Sequence, residues 1–580
     1  MYAHLSWRRR LFLLALLLVV CGCSSTPIKT TAMPEKAPTS EQILVEPISG
    51  VADLKIFDPA LAGDLNSIQA IGMVYTGLVS LNDKLVVQKQ LAQSYQMSPD
   101  GLTWTFTLLP NLKFSDGTAL TSSDVAYSID RALDPLVGSG VASTYLGLIK
   151  DADKRSAGTV KSLLNDSIFT PSSQTVIIRT SRKAAYFLQA LTYNTSYVVE
   201  KKLIDKYGKN FTDHLNEGGC TGPWKVSSYT HGKEIVLVPN PYYYGVKPQL
   251  AKVVLSFYKS DATAYQAYQN GQLDSANVSS SLISTAKAFP DHQYHRVPIL
   301  ATDFIGMNYL TRPFDNLKIR QAFALALNKT VLAHNVEKDS RIATNHIVPQ
   351  GMPAYDEKLV GPLGVKSVNG DQALAKTMFT EGMKEAGYTA QTFPKVTFSV
   401  ATEGLTDASN LFSAIQQMWK TTLGVNVVIQ NSDFDTLLNQ ISGSANNPKG
   451  LQMWYSDWFA DYPDAQDWLT LQFGPQSSIN SQNYGQSTKS YAEEQKTNQA
   501  LMVNADTNQN TVLRMQQYNN AEQALVNDVA WLPIFQEASI YVQKPCVIGT
   551  VDNAQSLTPP DDWGAIYIAA NTTCANAAQS

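Results

Sequence analysis

Hydrophobic and polar positions alternate along this chain with two different periods, which predict short strands and amphipathic helices in turn. The stretch "LTWTFTLL" at 102–109 alternates with period two after the turn "SPDG", which is typical of a strand. The stretch "TSSDVAYSIDRAL" at 121–133 places apolar residues on one helical face behind a Ser/Thr start and predicts a capped helix. At 232–245, "GKEIVLVPNPYYYG" predicts a strand that ends in a proline-broken aromatic turn.

Three later segments favour helices, two of them followed by strands. The stretch 316–332, "NLKIRQAFALALNKTVL", predicts one continuous helix. At 407–430 the pattern predicts a helix, a glycine stop and then a buried strand, and at 514–536 a helix followed by a strand that carries the chain back. No short repeat period is present, which argues against a solenoid. The fold class is therefore predicted to be α/β.

The N-terminal segment predicts export. In "SWRRRLFLLALLLVVCGC" three arginines precede an apolar run from Leu11 to Val20 and then small residues and cysteine. Ten apolar residues are too few for a membrane-spanning helix, which needs about 20, whereas this order is typical of a signal peptide at 1–22. The ending "VCGC" resembles a bacterial lipobox, which implies lipidation of Cys23. A plain signal peptide or an anchor helix is the alternative.

The rest of the chain predicts an anchored protein outside the cytoplasm. Residues 23–40 are rich in Ser, Thr, Pro and Lys and predict a flexible tether. The remaining chain is long enough for more than one core. Removal of the three signal-peptide arginines changes the formal charge from −4 to about −7. The chain shows no basic patch of the kind that nucleic acid requires and no second apolar stretch of membrane length.

Three cysteines follow the signal segment: Cys220, Cys546 and Cys574. An exported protein meets an oxidising compartment, so one disulfide and one free thiol are expected. We expect the Cys546–Cys574 pair because both lie in one C-terminal segment, and a pair that includes Cys220 is the alternative. No CxxC spacing supports a metal or redox site.

One short stretch places several aspartates next to large aromatic residues. "YSDWFADYPDAQDWL" at 455–469 contains four aspartates, and Asp461 is next to Trp458, Phe459 and Tyr462. A carboxylate among large rings is costly to bury unless a cation or a hydrogen-bond donor meets it. Either a ligand brings that cation, or Asp461 caps a turn at "DYP", as aspartate often does.

Four blocks in order resemble the oligopeptide-type family 5 solute-binding proteins of ABC importers. The first, residues 75–133, contains "LAQSYQMSPDGLTWTFTL" and "KFSDGTALTSSDVAYSIDRAL"; the second is "GPWKVSSYTHGKEIVLVPNPYYYG". The third is "MNYLTRPFDNLKIRQAFALALNK", and the last is "WYSDWFADYPDAQDWLTLQF" followed by "NSQNYG". The resemblance runs from about residue 42 to 570.

The resemblance implies an α/β protein of the two-lobed periplasmic-binding-protein type (type II, cluster C), with hinge strands and a discontinuous first lobe. On that pattern lobe one comprises 41–304 and 533–575, and lobe two comprises 305–532. The chain would pass between the two lobes near "FIGMNY" and near "WLPIFQ", and these two segments would form the hinge.

The resemblance also implies the binding residues. In peptide-binding members the motif W-x-A-D-Y supplies the aspartate that receives the ligand's α-ammonium group, which assigns that role to Asp461 beside Trp458. The backbone of 457–459, from Asp457 to Phe459, would pair with an extended ligand. A second backbone contact is expected at Gly63, Asp64 and Leu65.

This sequence departs from the family pattern at three positions. Tyr455 stands where some members carry an arginine for the ligand C-terminus. Gly63 replaces a glutamate, and Phe459 replaces a cysteine of some relatives. The first two departures put the preference for ligand length and terminus in doubt.

The resemblance implies a binding protein rather than an enzyme, with no cofactor. The expected partners are a peptide ligand and the permease and ATPase subunits of an importer, and the chain is expected to be a monomer on the outer face of the membrane. Other ligands stay open: oligosaccharides, opines, nickel complexes or signal peptides. His292 and His295 alone are weak support for a metal site. Four tryptophans are candidates either for core packing or for ligand stacking: Trp104, Trp224, Trp454 and Trp468.

Overall fold

The structure is a computed structural model that describes residues 34–402, 406–475 and 477–570. The predicted signal peptide at 1–22 and the lipidation site Cys23 lie outside the described residues. So does Cys574, the expected disulfide partner of Cys546.

The strands run through the whole described chain. Their bounds are β1 Ile43–Ser49, β2 Val79–Leu81, β3 Val87–Lys89, β4 Ala92–Met97, β5 Thr103–Leu108, β6 Ile168–Ser172, β7 Thr175–Arg179, β8 Trp224–Thr230, β9 Glu234–Pro239, β10 Lys252–Tyr258, β11 Ser275–Asn277, β12 Tyr294–Met307, β13 Ile342–Ala343, β14 Val396–Ala401, β15 Val427–Ser432, β16 Met453–Phe459, β17 Leu532–Gln543, β18 Val547–Ile548 and β19 Tyr567–Ile568.

The α-helices are interspersed with these strands. Their bounds are α1 Leu65–Val74, α2 Ser122–Ala132, α3 Ala142–Leu146, α4 Ala152–Ser156, α5 Phe187–Ala190, α6 Lys201–Tyr207, α7 Asp261–Gln269, α8 Ile283–Ala286, α9 Leu317–Leu325, α10 Lys329–Val331, α11 Gln372–Ala386, α12 Thr406–Leu423, α13 Phe434–Ser442, α14 Ala465–Trp468, α15 Thr470–Phe473, α16 Ala492–Thr507 and α17 Thr511–Asp528.

Three larger sheets organise the fold. Two of them have four strands, in the orders β1-β10-β9-β8 and β4-β5-β7-β6. The third has seven strands in the order β11-β17-β12-β16-β14-β15, with β13 paired to β17. Separate buried clusters cover the sheets, and α2 packs on the second sheet while α9 and α12 pack on the third. This arrangement is the predicted α/β class with more than one core.

Most of the elements predicted from the pattern are confirmed. β5, α2 and β9 form where expected, and Thr121 and Asp124 form the predicted capping box at the start of α2. The prediction of one continuous helix over 316–332 is wrong. The helix breaks after Leu325, and the side chain of Asn328 caps a second short helix by accepting from the Val331 N–H group.

The predicted crossing segments lie side by side. Phe304 of β12 is opposite Pro533 of β17, and Ile305 is opposite Leu532, in an antiparallel pair. The lobe boundaries at 304/305 and 532/533 thus fall within or at the edge of these two long strands, and they remain predictions.

The first described residues pack against the end of the chain. The Ala37 N–H group donates to the Ile568 carbonyl oxygen at 2.9 Å, and the buried Gln42 side chain donates to the carbonyl oxygens of Ala37 and Ile568. The last residues of the segment predicted as a tether are thus part of the fold. Cys220 is a buried free thiol, which excludes its pairing with Cys546, and Cys546 is disulfide-bonded.

No helix within the described residues has both the length and the apolar content that a bilayer crossing requires.

Candidate ligand-binding cleft

Asp461 lies just beyond the end of β16, where the chain leaves the seven-stranded sheet. Its Oδ1 atom accepts a hydrogen bond of 2.7 Å from the hydroxyl group of Tyr145. Tyr145 lies on α3 and is 2% exposed. On the predicted boundaries the two residues belong to different lobes, and this contact would then lie where the lobes meet.

The carboxyl group of Asp461 has no cationic partner among the described residues. Burial raises its pKa to about 6, and the hydrogen bond from Tyr145 lowers it, which offsets part of that effect. A carboxylate with a single neutral donor in such a place is stabilised strongly by any cation that arrives there.

The local hydrogen bonds show that another aspartate closes the turn. The backbone N–H group of Asp461 donates to Asp467 Oδ2 at 3.0 Å, and the indole N–H group of Trp458 donates to the same oxygen at 3.3 Å. Asp467 is fully buried. The turn is therefore held by Asp467, which leaves the carboxylate of Asp461 free of the capping role.

Asp464 has a structural partner of its own. Its Oδ1 atom accepts from the Gln466 N–H group at 2.9 Å, which caps α14, and from Arg514 Nη2 at 2.5 Å. Both side chains of this ion pair are almost completely buried. Asp464 therefore links α14 to α17 and is not available to a ligand.

Tyrosine rings surround the Asp461 carboxylate. Tyr193 stacks on Tyr145 with a centroid distance of 3.4 Å and an interplanar angle of 12°. Tyr462 packs edge-on against Tyr145 at 6.3 Å and stacks on Tyr186 at 5.9 Å. Through these contacts Tyr462, next to Asp461, joins the buried cluster beneath the β4-β5-β7-β6 sheet.

The second predicted segment, Gly63 to Leu65, approaches the same helix. A Cβ atom at Gly63 would lie 3.0 Å from Val141 Cγ1, and Val141 immediately precedes α3. Asp64 caps α1 by accepting from the Ser67 N–H group, which gives this side chain a structural role. Leu65 is 52% exposed. The segment therefore borders the helix that carries Tyr145.

Part of β16 has an unpaired edge. β14 pairs with β16 through Phe398–Met453 and Ser399–Trp454, and then continues beside β15. From residue 455 to 459, β16 pairs with β12 on one side, and its other side has no backbone partner in the part of the chain that the structure describes. Backbone groups at such an edge can pair with an added strand.

The side chains along this edge differ in exposure. Phe459 is 47% exposed, while Trp458, Asp457 and Tyr455 are partly buried. The Tyr455 hydroxyl oxygen accepts from Arg341 Nη1 at 3.1 Å. Arg341 was not predicted as a site residue, and it lies beside the position where some relatives carry an arginine.

The sequence model of the bacterial extracellular solute-binding proteins, family 5, matches residues 86–480, which is more than half of the chain. This chain belongs to that family. Members of family 5 are extracytoplasmic solute receptors of transport systems, not enzymes, and that statement applies to this protein.

Three relatives illustrate the relationship. The oligopeptide-binding protein OppA of Bacillus subtilis is 25% identical over 552 residues, which cover 93% of this chain and 95% of OppA. The periplasmic oligopeptide-binding protein OppA of Salmonella typhimurium is 28% identical over 457 residues, 78% of this chain and 79% of that protein. The unliganded open form of MppA, a periplasmic murein tripeptide binding protein, shares the fold with a TM-score of 0.75 and 23% identity over 92% of this chain and 98% of MppA. The two-lobed type II architecture is thereby established.

The tryptophans named as possible stacking residues belong to the core of this family 5 protein. Trp224, Trp454 and Trp468 are fully buried, and Trp104 is 7% exposed. The core interpretation is confirmed for all four. Tyr145, Tyr186 and Tyr193 were missed because they lie more than 250 residues before Asp461 in the chain, and no local pattern marked them.

The described residues contain no group of three or more His, Cys, Asp or Glu side chains placed to hold a metal ion. His295, one of the two histidines considered, stacks on Tyr541 at 4.6 Å near Asp552 on the surface.

Proposed function

We propose that this solute-binding protein captures oligopeptides between its two lobes and delivers them to an ABC import permease. The observation that carries this proposal is the carboxylate of Asp461, which lies beside an unpaired strand edge and has no cation among the described residues. A peptide brings both an α-ammonium group and an extended backbone, so it satisfies the two features together.

The α-ammonium group would bind Asp461. Charge-assisted hydrogen bonds are stronger than neutral ones, and the partly buried site limits competition from water. Tyr145 would hold the carboxylate in place through the existing hydrogen bond. Because Asp467 and Asp464 are engaged elsewhere, Asp461 is the carboxylate of this turn that is open to a ligand.

The ligand backbone would extend β16. An added strand pairs through backbone N–H and C=O groups and therefore tolerates many side chains. This mode suits a receptor that must bind peptides of varied sequence. The exposed ring of Phe459 lies at this edge and offers an apolar contact to a ligand side chain.

The segment from Gly63 to Leu65 would contact the ligand from the other lobe. Its proximity to α3, the helix of Tyr145, supports this role. A ligand that contacts both lobes shifts the equilibrium towards the closed form, because only differential binding to the two forms can do so. The long strands β12 and β17 would act as the hinge.

The remaining parts of the proposal rest on the N-terminal sequence and the family. Lipidation of Cys23 would hold the protein, as a monomer, on the outer face of the cell membrane. The permease and the ATPase subunits of the importer would recognise the closed form. No role in nucleic-acid binding is proposed.

Native mass spectrometry of protein purified without denaturation tests the ligand class. We expect retained masses that match a series of short peptides, and their loss in Asp461→Ala but not in the surface control Asp435→Ala. A single oligosaccharide, opine or metal-complex mass that persists in Asp461→Ala would contradict the proposal and leave the receptor role with another ligand.

A further inference from the structure

A single arginine lies among several carboxylates on one face of the seven-stranded sheet. Arg341 Nη1 is 3.2 Å from Asp303 Oδ2, Nε is 3.7 Å from Glu337 Oε2, and Nη2 is 3.6 Å from Glu537 Oε1. The guanidinium group also lies 5.8 Å from the centre of the Phe535 ring. The arginine side chain therefore extends across the strands of this sheet.

The strand register adds a further carboxylate to this face. Asp303 of β12 is directly opposite Asp457 of β16 and opposite Phe535 of β17. Two like charges in directly opposed positions destabilise a sheet unless something compensates them. Glu537 is two residues after Phe535 and shares its face. Three acids, Glu537, Asp303 and Asp457, therefore form a row that runs from β17 across β12 to the unpaired edge of β16.

The charges in this row do not balance. Asp303, Asp457 and Glu537 are accompanied by one guanidinium group, so two negative charges stay uncompensated when all three carboxylates are ionised. Burial raises the pKa of Asp303, of Asp457 and of Glu537, and Arg341 acts in the opposite direction on all three. A further cation would be stabilised by this row.

A buried oxygen atom on this face also lacks a hydrogen-bond donor. Asp303 is 1% exposed, and its Oδ2 atom accepts no hydrogen bond, although it lies within ion-pair distance of Arg341. Asp457, the outermost acid of the row, has no basic side chain within ion-pair distance in the described part of the chain. Buried polar groups in native proteins normally have partners, so a further donor that reached Asp303 Oδ2 or Asp457 would be stabilised.

The row lies at a defined distance from Asp461. Asp457 precedes Asp461 by four positions, which corresponds to about 13 Å at about 3.3 Å per residue of extended chain. A ligand strand that pairs antiparallel with β16 and places its ammonium group at Asp461 would bring about its third or fourth residue to Asp457. A lysine or arginine side chain there would add the missing donors and the positive charge.

We propose that Asp457, supported by Asp303 and Glu537, forms a subsite for a basic side chain at about the third or fourth residue of the ligand. This inference rests on the proposed function, because it needs a peptide along β16. The same row disfavours a ligand whose terminal carboxylate would lie beside Asp457. The protein should therefore prefer peptides longer than three residues.

Calorimetric titration with two series of pentapeptides tests the subsite. The first series is Ala-Ala-Xaa-Ala-Ala and the second is Ala-Ala-Ala-Xaa-Ala, where Xaa is lysine, norleucine or glutamate. In at least one series we expect lysine to bind about tenfold or more tightly than norleucine, and glutamate to bind most weakly. Norleucine retains the apolar length of lysine without the charge.

Two variants assign the preference to the row of acids. Asp457→Asn should reduce the ratio of lysine to norleucine affinity to about twofold or less. Glu537→Gln, on β17, should reduce the ratio in part and serves as a second variant if Asp457→Asn does not fold. Asp435→Asn, on the exposed surface of α13, is the control and should leave the ratio unchanged.

The outcomes separate this inference from the proposed function. Equal affinities for lysine and norleucine in both series, with all peptides bound, would overturn the subsite and leave peptide binding intact. Failure of all peptides to bind would overturn the proposed function and the subsite with it.

Discussion

Two aspartates three residues apart, Asp461 and Asp464, have opposite surroundings in this protein. Asp464 is buried in an ion pair with Arg514 and also caps α14. Asp461 has one neutral donor, the hydroxyl group of Tyr145, and no cation within the described residues. Both residues belong to the same motif of the sequence, and only the surroundings distinguish them.

This difference separates stability from binding. A buried pair that satisfies itself contributes to the fold, and removal of one member leaves the other uncompensated. A carboxylate left without a cation contributes little to the fold and is available to a ligand. The predictions below test whether Asp464 acts on the free energy of unfolding and Asp461 on ligand affinity. They are given in order of decreasing expected effect.

Loss of the Asp464–Arg514 pair should have the largest effect. Asp464→Ala leaves the Arg514 guanidinium group buried without its counter-charge, and we expect the free energy of unfolding to fall by about 3 to 5 kcal/mol. Denaturant titration of the ligand-free protein measures this change. A fall of less than about 1 kcal/mol would contradict the claim that Asp464 stabilises the fold.

Asp461→Asn should weaken ligand binding without lowering the stability of the fold. Removal of the charge while the acceptor oxygen stays should weaken peptide affinity by about 2 to 3 kcal/mol, or about 30- to 150-fold. The free energy of unfolding without ligand should stay the same or increase, because the buried charge is no longer present. Calorimetric titration and denaturant titration on the same sample measure the two quantities, with Asp435→Asn as the control.

The pH dependence of binding should follow Asp461. Because burial raises its pKa to about 6, the carboxylate is lost as the pH falls through 6, and peptide affinity should decrease about tenfold between pH 7 and pH 5. The sign for stability is the opposite. The folded pKa is above the ordinary value of 3.8, so the contribution of Asp461 to stability without ligand decreases as the pH rises from about 4 to about 6.

The variant Asp461→Asn is the control for this titration. Its weaker affinity should show no acid limb near pH 6. An unchanged acid limb in the variant would assign the pH dependence to another group.

Tyr145→Phe should have the smallest effect. It removes one hydrogen bond to Asp461 and should cost about 1 kcal/mol of binding free energy, or about fivefold in affinity. Because that hydrogen bond lowers the pKa of Asp461, its loss should also move the acid limb of binding to higher pH. A shift to lower pH would contradict the assigned role of Tyr145.

The sequence pattern predicted local structure well where the deciding interactions are local. The capping box of Thr121 and Asp124 at α2 and the helix-to-strand transition at Gly424 needed only neighbouring residues. The prediction that the strand after Gly424 is buried is wrong, because β15 is an edge strand in which only Val427 is buried. The break after Leu325 was missed because the apolar periodicity continues through Asn328, and the capping interaction of Asn328 outweighed that pattern.

The site was predictable only in part for the same reason. The motif around Trp458 predicts Asp461 as a binding residue, but its hydrogen-bond partner Tyr145 comes from α3, 316 residues earlier in the chain. The different roles of Asp464 and Asp467 depend on Arg514 and on the fold of the turn, which no spacing reveals. Similarly, the environment of Tyr455 depends on Arg341, which approaches from beside β13.

The most direct test of the central claim compares one pentapeptide with a free N-terminus and the same peptide with an acetylated N-terminus, titrated against the native protein and against Asp461→Asn. If the ammonium group binds Asp461, acetylation should weaken binding to the native protein by about 30-fold or more and change binding to the variant by about threefold or less. An acetylation effect of equal size in both proteins would contradict the assignment of Asp461 to the ligand N-terminus.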